Sequence, residues 1–433
     1  MLLIYSPEIT PRLQYALKLI FKSCVHAEYE LTDDAAKFNQ YTGPKLTYGK
    51  QALGNEPFIW ANGLLADRVI IDKQPERGPD YHGLATIYHT DNTTAIVPFD
   101  VLAASFYIVT RYEEYELGER DQHGRYIPTN SINYKYGFLN KPIVNIWAVN
   151  LAKHIQAIYP EFNYTLPTFQ YLSTIDVDNA WAFAHKGWIR AIGGVLNDLL
   201  EFKFKQLGTR LKSWGHDAND PYNTYHIIEG LQERYKHKML WFFLIGDYGF
   251  NDKNPNWENH HFQALVKRIA KKYPIGVHPS YASFRHLEKI HEERERLEFI
   301  DGGAIDKARC HFLRMKFPET YRALKYCEIR HDYTMIHSPL PGFRAGICTM
   351  HKWYDIPREE ETGLTIHPST VMEGTLRDYM KLSPTEGLQV IEQLMNEVKA
   401  VGGTFISIWH NDSFSQENKE WIEVYEGMLK LVN

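Results

Sequence analysis

From residue 172 to the C-terminus, apolar runs of strand length alternate with longer stretches of helical spacing, and few folds accommodate that order over some 260 residues. Leu172 to Asp178 reads as the first strand, and a long, partly basic helical insertion containing TYHIIEGLQERY follows it through Lys238. Met239 to Gly246, MLWFFLIG, is apolar without interruption, as expected of a strand buried on both faces. A helix near Trp257 to Lys271, a strand Ile275 to His278 and a helix from His286 to Phe299 come next; the run HEERERLE in the last reads as a solvated face. Pro318 opens another helix with Glu319 in its first turn, and strand-like pieces follow at Gly342 to Ala345 and Leu364 to Ile366. Ser383-Pro384-Thr385-Glu386 is a capping box, Gly402-Gly403 stops that helix, and Thr404 to Trp409, TFISIW, is the last strand. A repeated strand-then-helix order argues for an α/β protein with a parallel (β/α) barrel.

The preceding residues are organised differently. They combine a strand at Leu2 to Tyr5, a helix at Pro11 to Phe21, a strand-like Pro57 to Trp60, and a helix DVLAASFYIVTRYEEY that Asp100 is placed to cap. The turn-rich ERDQHGRYIPTNS comes after it. Arg111, Glu113, Glu114, Arg120, Asp121 and Arg125 could form a charged site there, but a solvated network leading into the next domain is expected. A helix from Ile143 to Ile158 ends at Pro160, and Pro160 to Pro167 is taken as a boundary. The expected division is an N-terminal α/β accessory domain over 1–165 and the barrel over 166–433, since 433 residues exceed one ordinary core.

A net charge of -5 gives no general attraction to nucleic acid or to anionic membrane. No stretch approaches a membrane span, the start lacks the pattern of a secretory signal, and a cytoplasmic protein is the expectation. Cys24, Cys310, Cys327 and Cys348 lack paired close spacing and read as reduced thiols.

Chemistry gathers where strands end. In STIDVDNAW, Asp176 and Asp178 are two apart and so share one side of the strand. Like charges that close repel unless a cation or a proton stands between them, although an isolated Asp-x-Asp is more simply a cap and a turn. This pair is not isolated: Asp247 follows the second strand, His278 the third, Arg344 lies in a later one and His410 ends the last. In a parallel barrel those ends share one face. Asp178 and His278 are suitable ligands for a divalent ion, which makes hydroxide available at neutral pH; Asp176 could take a proton and His410 give one.

With these residues in view, the chain from about 168 to 433 resembles the polysaccharide deacetylase superfamily of carbohydrate esterase family 4 type, which folds as a distorted (β/α) barrel. STIDVDNAW is similar to its first motif, which implies Asp176 as base and Asp178 as metal ligand. GVHPSY is similar to the second, implying His278 as ligand, ARCHFLR stands where the third belongs, with Arg309 orienting the base, and FISIWHNDS resembles the last, with His410 as acid. The usual second ligand histidine, four residues after the first, is replaced by Ala282. Three readings stand open: His311 supplies the missing nitrogen, water or Ser280 completes a weaker site, or the site has lost its metal; His311 is the favoured reading. With FDVLAASFYIVTRYEEY, RDQHGRY, GFLNKP, PGFRAGICTMHKWYD and IHPSTVMEGTL, the chain resembles a subgroup frequent in Bacteroidetes that carries an extra N-terminal α/β domain.

The resemblance implies a metal-dependent hydrolase, zinc first among divalent ions, that removes an acetyl or other N-acyl group from an amino-sugar glycan. Two alternatives are a non-catalytic carbohydrate-binding or assembly protein and a hydrolase of another C–N bond. Arg344, Asp247 and Trp409 are the expected substrate contacts, with a structural salt bridge to Asp332 or Asp355 as the competing role for Arg344 and core packing as the competing role for Trp409 and Trp421. His367 and Glu373 are expected at the rim.

Overall fold

The computed structural model describes residues 1–70, 73–115 and 118–432. Strands β1 (Leu2–Tyr5), β2 (Tyr29–Thr32), β3 (Lys45–Gly49) and β4 (Phe58–Trp60) form a parallel sheet in the order β2-β1-β3-β4. The helix that opens at Pro11 under a Thr10 cap runs to Leu17 and continues in wider turns to Cys24, three residues past the expected end. A hairpin of β5 (Arg77–Tyr81) and β6 (Leu84–Ile87) precedes the helix Val101–Val109. Asp100 caps that helix, accepting from the Ala103 N–H at 2.9 Å and from the Tyr48 hydroxyl at 2.9 Å. Every residue of Val101–Val109 is buried, because the neighbouring sheet and the helix Ile143–Ile158 cover it.

The remaining strands are β7 (Gln170–Val177), β8 (Lys238–Phe243), β9 (Ile275–Val277), β10 (Lys307–Ala308), β11 (His331–Asp332), β12 (His351–Asp355), β13 (Glu360–Ile366), β14 (Val371–Met372) and β15 (Thr404–His410). They form one nine-stranded sheet in the order β12-β13-β11-β10-β9-β8-β7-β15-β14, parallel throughout except for the β12–β13 pair. The expected α/β class holds, as a mixed fold on a large, mostly parallel sheet. Among the described residues no pairing joins β12 to β14, so pairing does not close the sheet into a barrel.

Alternation within β7 sets the two faces. Leu172 lies with Leu240, Phe242, Tyr333 and Ile406 in one apolar cluster, and Asp176 follows on that face. Ser173 and Tyr171 point the other way, where the Ser173 hydroxyl meets that of Tyr425, on the helix Lys419–Val432, at 2.8 Å. β8 is buried from Met239 to Phe243, as a strand covered on both faces must be. The capping box of Ser383 and Glu386 starts the helix Pro384–Val401 as expected.

Three expectations are corrected. Gly342 to Ala345 is a turn, not a strand: Gly342 sits at φ +119°, where a Cβ would lie 2.2 Å from the Leu139 carbonyl, and the Phe343 N–H is drawn to that carbonyl at 2.7 Å. Part of HEERERLE is buried, since Glu293 accepts from the Ser280 N–H at 2.8 Å and Arg294 donates to the Ile305 carbonyl at 3.0 Å. The charges after Val109 are not all solvated either. Arg111, Glu113 and Glu114 are buried, and Arg344 donates to both oxygens of Glu114. Burial resists charging Glu114, but Arg344 and Arg111 hold its carboxyl well below the usual range. A second link is the Arg12 guanidinium, which meets Glu359 at 2.6 Å.

Candidate metal centre

Because β7, β8, β9, β10 and β15 are parallel, their C-terminal ends lie along one edge of the sheet. In register Asp176 stands beside His410, and Val277 beside both Phe243 and Ala308, so His278 and Arg309 follow at neighbouring positions. A cavity of about 230 Å³ at this edge is lined by Asp176, Asp178, His278, His311 and His410, and Arg125 of the turn-rich segment reaches it too.

Asp178, His278 and His311 each offer one ligand atom, all within 4.8 Å of one another. His278 Nε2 lies 3.1 Å from Asp178 Oδ1, and His311 Nε2 lies 3.3 Å from Asp178 Oδ2. Neighbouring donors about 2.0–2.1 Å from a tetrahedral zinc ion are separated by roughly 3.3 Å, so these distances fit a shared ion.

The other ring nitrogens fix the tautomers. His278 Nδ1 faces the Arg309 carbonyl at 2.5 Å, an oxygen that can only accept, so Nδ1 carries the proton. His311 Nδ1 faces the buried Asp252 carboxylate at 2.9 Å and donates likewise. Both Nε2 atoms are thereby directed at Asp178, whose Oδ1 is buried and accepts no hydrogen bond. Lone pairs facing a carboxylate need a proton or a cation between them.

Electrostatics agree. Burial resists ionisation of Asp178, yet His311, His278 and His410 hold its carboxyl well below the usual range. Burial likewise resists charging His311, but Asp178 and Asp252 outweigh it and push the ring up to about 9. A bound cation would take the place of that proton.

Two further groups flank the triad. Asp176 is buried, receives Arg309 Nη1 on Oδ1 at 2.7 Å and has Oδ2 3.9 Å from His278 Nε2. Arg309 is itself fixed by the Tyr333 carbonyl at 3.1 Å and lies over the Phe242 ring. Next to Asp176 in register, His410 Nδ1 donates to Glu373 Oε1 at 2.8 Å and turns Nε2 toward Asp178 Oδ2 at 3.7 Å. Burial opposes charge on both members of this pair. Nevertheless Glu373 and Asp178 raise His410 well above its ordinary value, and His410 and Arg377 pull Glu373 down to about 2.

The structure thus brings Asp176, Asp178, His278, Arg309, His311 and His410 together. It separates the three expected substrate contacts. Arg344 is buried against Glu114, which also replaces Asp332 and Asp355 as its partner. Asp247 is exposed at another cavity of about 730 Å³ with Tyr248 and Trp257, and pairs with Lys289 and Arg296. Trp409 points to the helix-covered face opposite His410, packed on Tyr425 and Phe414. The Ser280 hydroxyl is engaged in its own turn, where it accepts from the Ser283 N–H at 3.2 Å. The Ala282 N–H donates to Asp252 at 3.3 Å. Glu373 is no rim residue but is buried beneath His410.

Residues 2–160 match a family model described as "Family of unknown function (DUF7033)". No curated protein matches the chain. Among solved structures the chain is similar to one described as "Crystal structure of putative polysaccharide deacetylase from Mycobacterium smegmatis", at 13% identity and a TM-score of 0.40, covering 60% of this chain and 83% of that one.

Proposed function

We propose that the chain is a metal-dependent hydrolase that removes an N-acyl group, acetyl first, from an amino sugar or its polymer. The observation that carries the reading is the convergence of Asp178, His278 and His311 with both imidazole Nε2 atoms aimed at one carboxylate. These three residues would hold a divalent ion, zinc first by the chemistry of the donors. When bound, such an ion supplies Lewis-acid polarisation of the acyl carbonyl and acidifies water at neutral pH.

The protein's own groups supply the proton transfers. Asp176 takes the proton of the attacking water, and Arg309 aligns that carboxylate through its 2.7 Å contact. His410, held charged by Glu373, stands beside Asp178 and protonates the departing amine. Base and acid therefore stand on neighbouring strands beside the ion-binding group, within reach of one substrate.

A non-catalytic carbohydrate-binding role rests on Ala282, and the approach of His311 to Asp178 favours the hydrolase reading over it. The test is bound metal and acetate release from a panel of N-acetylated amino sugars and oligomers. Wild type should release acetate when loaded with zinc. Asp176→Asn should keep the metal and lose turnover, and His278→Ala should lose both. A zinc-loaded wild type inert on every panel member, or an Asp176→Asn variant as active as wild type, refutes the reading.

A further inference from the structure

Two helices, Trp188–Leu200 and Phe204–Gly215, are inserted between β7 and β8. Ile192, Leu196 and Leu199 recur at one-turn spacing and are exposed, as is Leu200 beside them at 78%. Phe202 in the connecting turn is 77% exposed and Phe204 64%. Leu211 and Trp214 continue the apolar exposure on the second helix. Of the twenty large apolar residues exposed among the described residues, eight fall within 192–214. That concentration exceeds what scattered surface apolar residues produce.

The insertion is also basic in an acidic protein. Residues 186–214 contain six Lys and Arg against two acidic residues, a net +4, whereas the whole chain carries -5. Both acids are taken: Asp198 by Arg210 at 2.7 Å, and Glu201 by Lys203. Lys205 and Lys212 are exposed beside the apolar residues. The base of the insertion is fixed, because Asp220 accepts from the backbone N–H groups of Ala182, Phe183 and Ala184 at 2.7, 2.8 and 2.9 Å.

We propose that this helical pair docks on the surface of an anionic lipid bilayer. Apolar side chains would enter the interface while Lys205 and Lys212 meet lipid headgroups. No helix among the described residues is long and apolar enough to cross a membrane. A second copy of the chain is the poorer occupant, since face-to-face pairing would set two basic segments against each other. The proposal does not depend on the hydrolase reading.

The test is co-sedimentation of the full chain with vesicles of equal parts phosphatidylglycerol and phosphatidylcholine, against phosphatidylcholine alone. Wild type should pellet with the anionic vesicles and be released as salt rises from about 0.1 M to about 0.5 M. The triple variant Leu200→Asp/Phe202→Asp/Phe204→Asp should bind at least about tenfold more weakly, as should Lys205→Glu/Lys212→Glu, with unchanged circular dichroism. Wild type left in the supernatant with anionic vesicles, or the first variant pelleting as wild type does, overturns the proposal. A wild-type dimer that the first variant converts to monomer, without vesicle binding, assigns the face to a second copy and overturns it equally.

Discussion

Replacing Asp252 by alanine probes the metal centre through a residue that would not touch the ion. Its carboxylate fixes the His311 ring by accepting from Nδ1 at 2.9 Å, and it also accepts from the N–H groups of Tyr281 at 2.8 Å and Ala282 at 3.3 Å. Without it the ring is free to rotate about χ2, and the electron density it lends to Nε2 is lost. Losing such an outer partner weakens metal binding about 10–100-fold, or about 1.4–2.7 kcal/mol. The two stranded backbone donors add about 1–3 kcal/mol of lost stability, so the comparison is made well below the melting temperature. Zinc affinity is measured by competition with a chromophoric chelator at neutral pH. Asp252→Ala should fall in that range, Asp252→Asn should lose less because its amide oxygen still accepts, and His311→Ala should fall below both. Asp247→Ala should bind as wild type does, since Asp247 is engaged with Lys289 and Arg296 elsewhere. A folded Asp252→Ala that binds zinc with wild-type affinity, or an equal loss in Asp247→Ala, would refute the argument.

Glu373 predicts an acid-side loss of stability. Its carboxyl is held down at about 2, against an ordinary 4.5, so its contribution is full above the ordinary value and disappears as pH falls from 4.5 toward 2. The shift corresponds to about 3 kcal/mol, and melting curves should fall more steeply with acid in wild type than in Glu373→Gln. Trp409→Ala should cost about 3–5 kcal/mol in urea unfolding and leave zinc affinity unchanged, as befits a side chain packed on Tyr425. Arg344→Ala and Glu114→Ala should each cost about 3–5 kcal/mol by leaving a buried charge behind, and the double variant should cost less than their sum.

Locally determined features were legible in the chain. The unbroken apolar run of β8, the Asp100 cap and the Ser383–Glu386 capping box depend on residues a few positions apart, and each stands where the spacing predicts. His311 was legible through a mismatch, because Ala282 left a ligand to be found and the third motif offered a histidine. Features that depend on distant partners were not. Glu114 lies 230 positions from Arg344, so neither side chain announces that the pair is buried. Glu373 follows a strand of two residues, too short for any periodicity to reveal. Asp252 sits in a loop, and only the folded path of 246–259 brings it to His311. For Trp409 a signal did exist. Alternation along β15 places it opposite His410, which excludes it from the cavity that His410 lines.

The most direct test of the account is anomalous diffraction at the zinc edge from crystals of the zinc-loaded protein. The account predicts one strong peak at the C-terminal edge of the large sheet, about 2.0–2.2 Å from Asp178, His278 Nε2 and His311 Nε2. A peak that contacts Asp178 and His278 but not His311, or no peak at that edge in protein saturated with zinc, would contradict it.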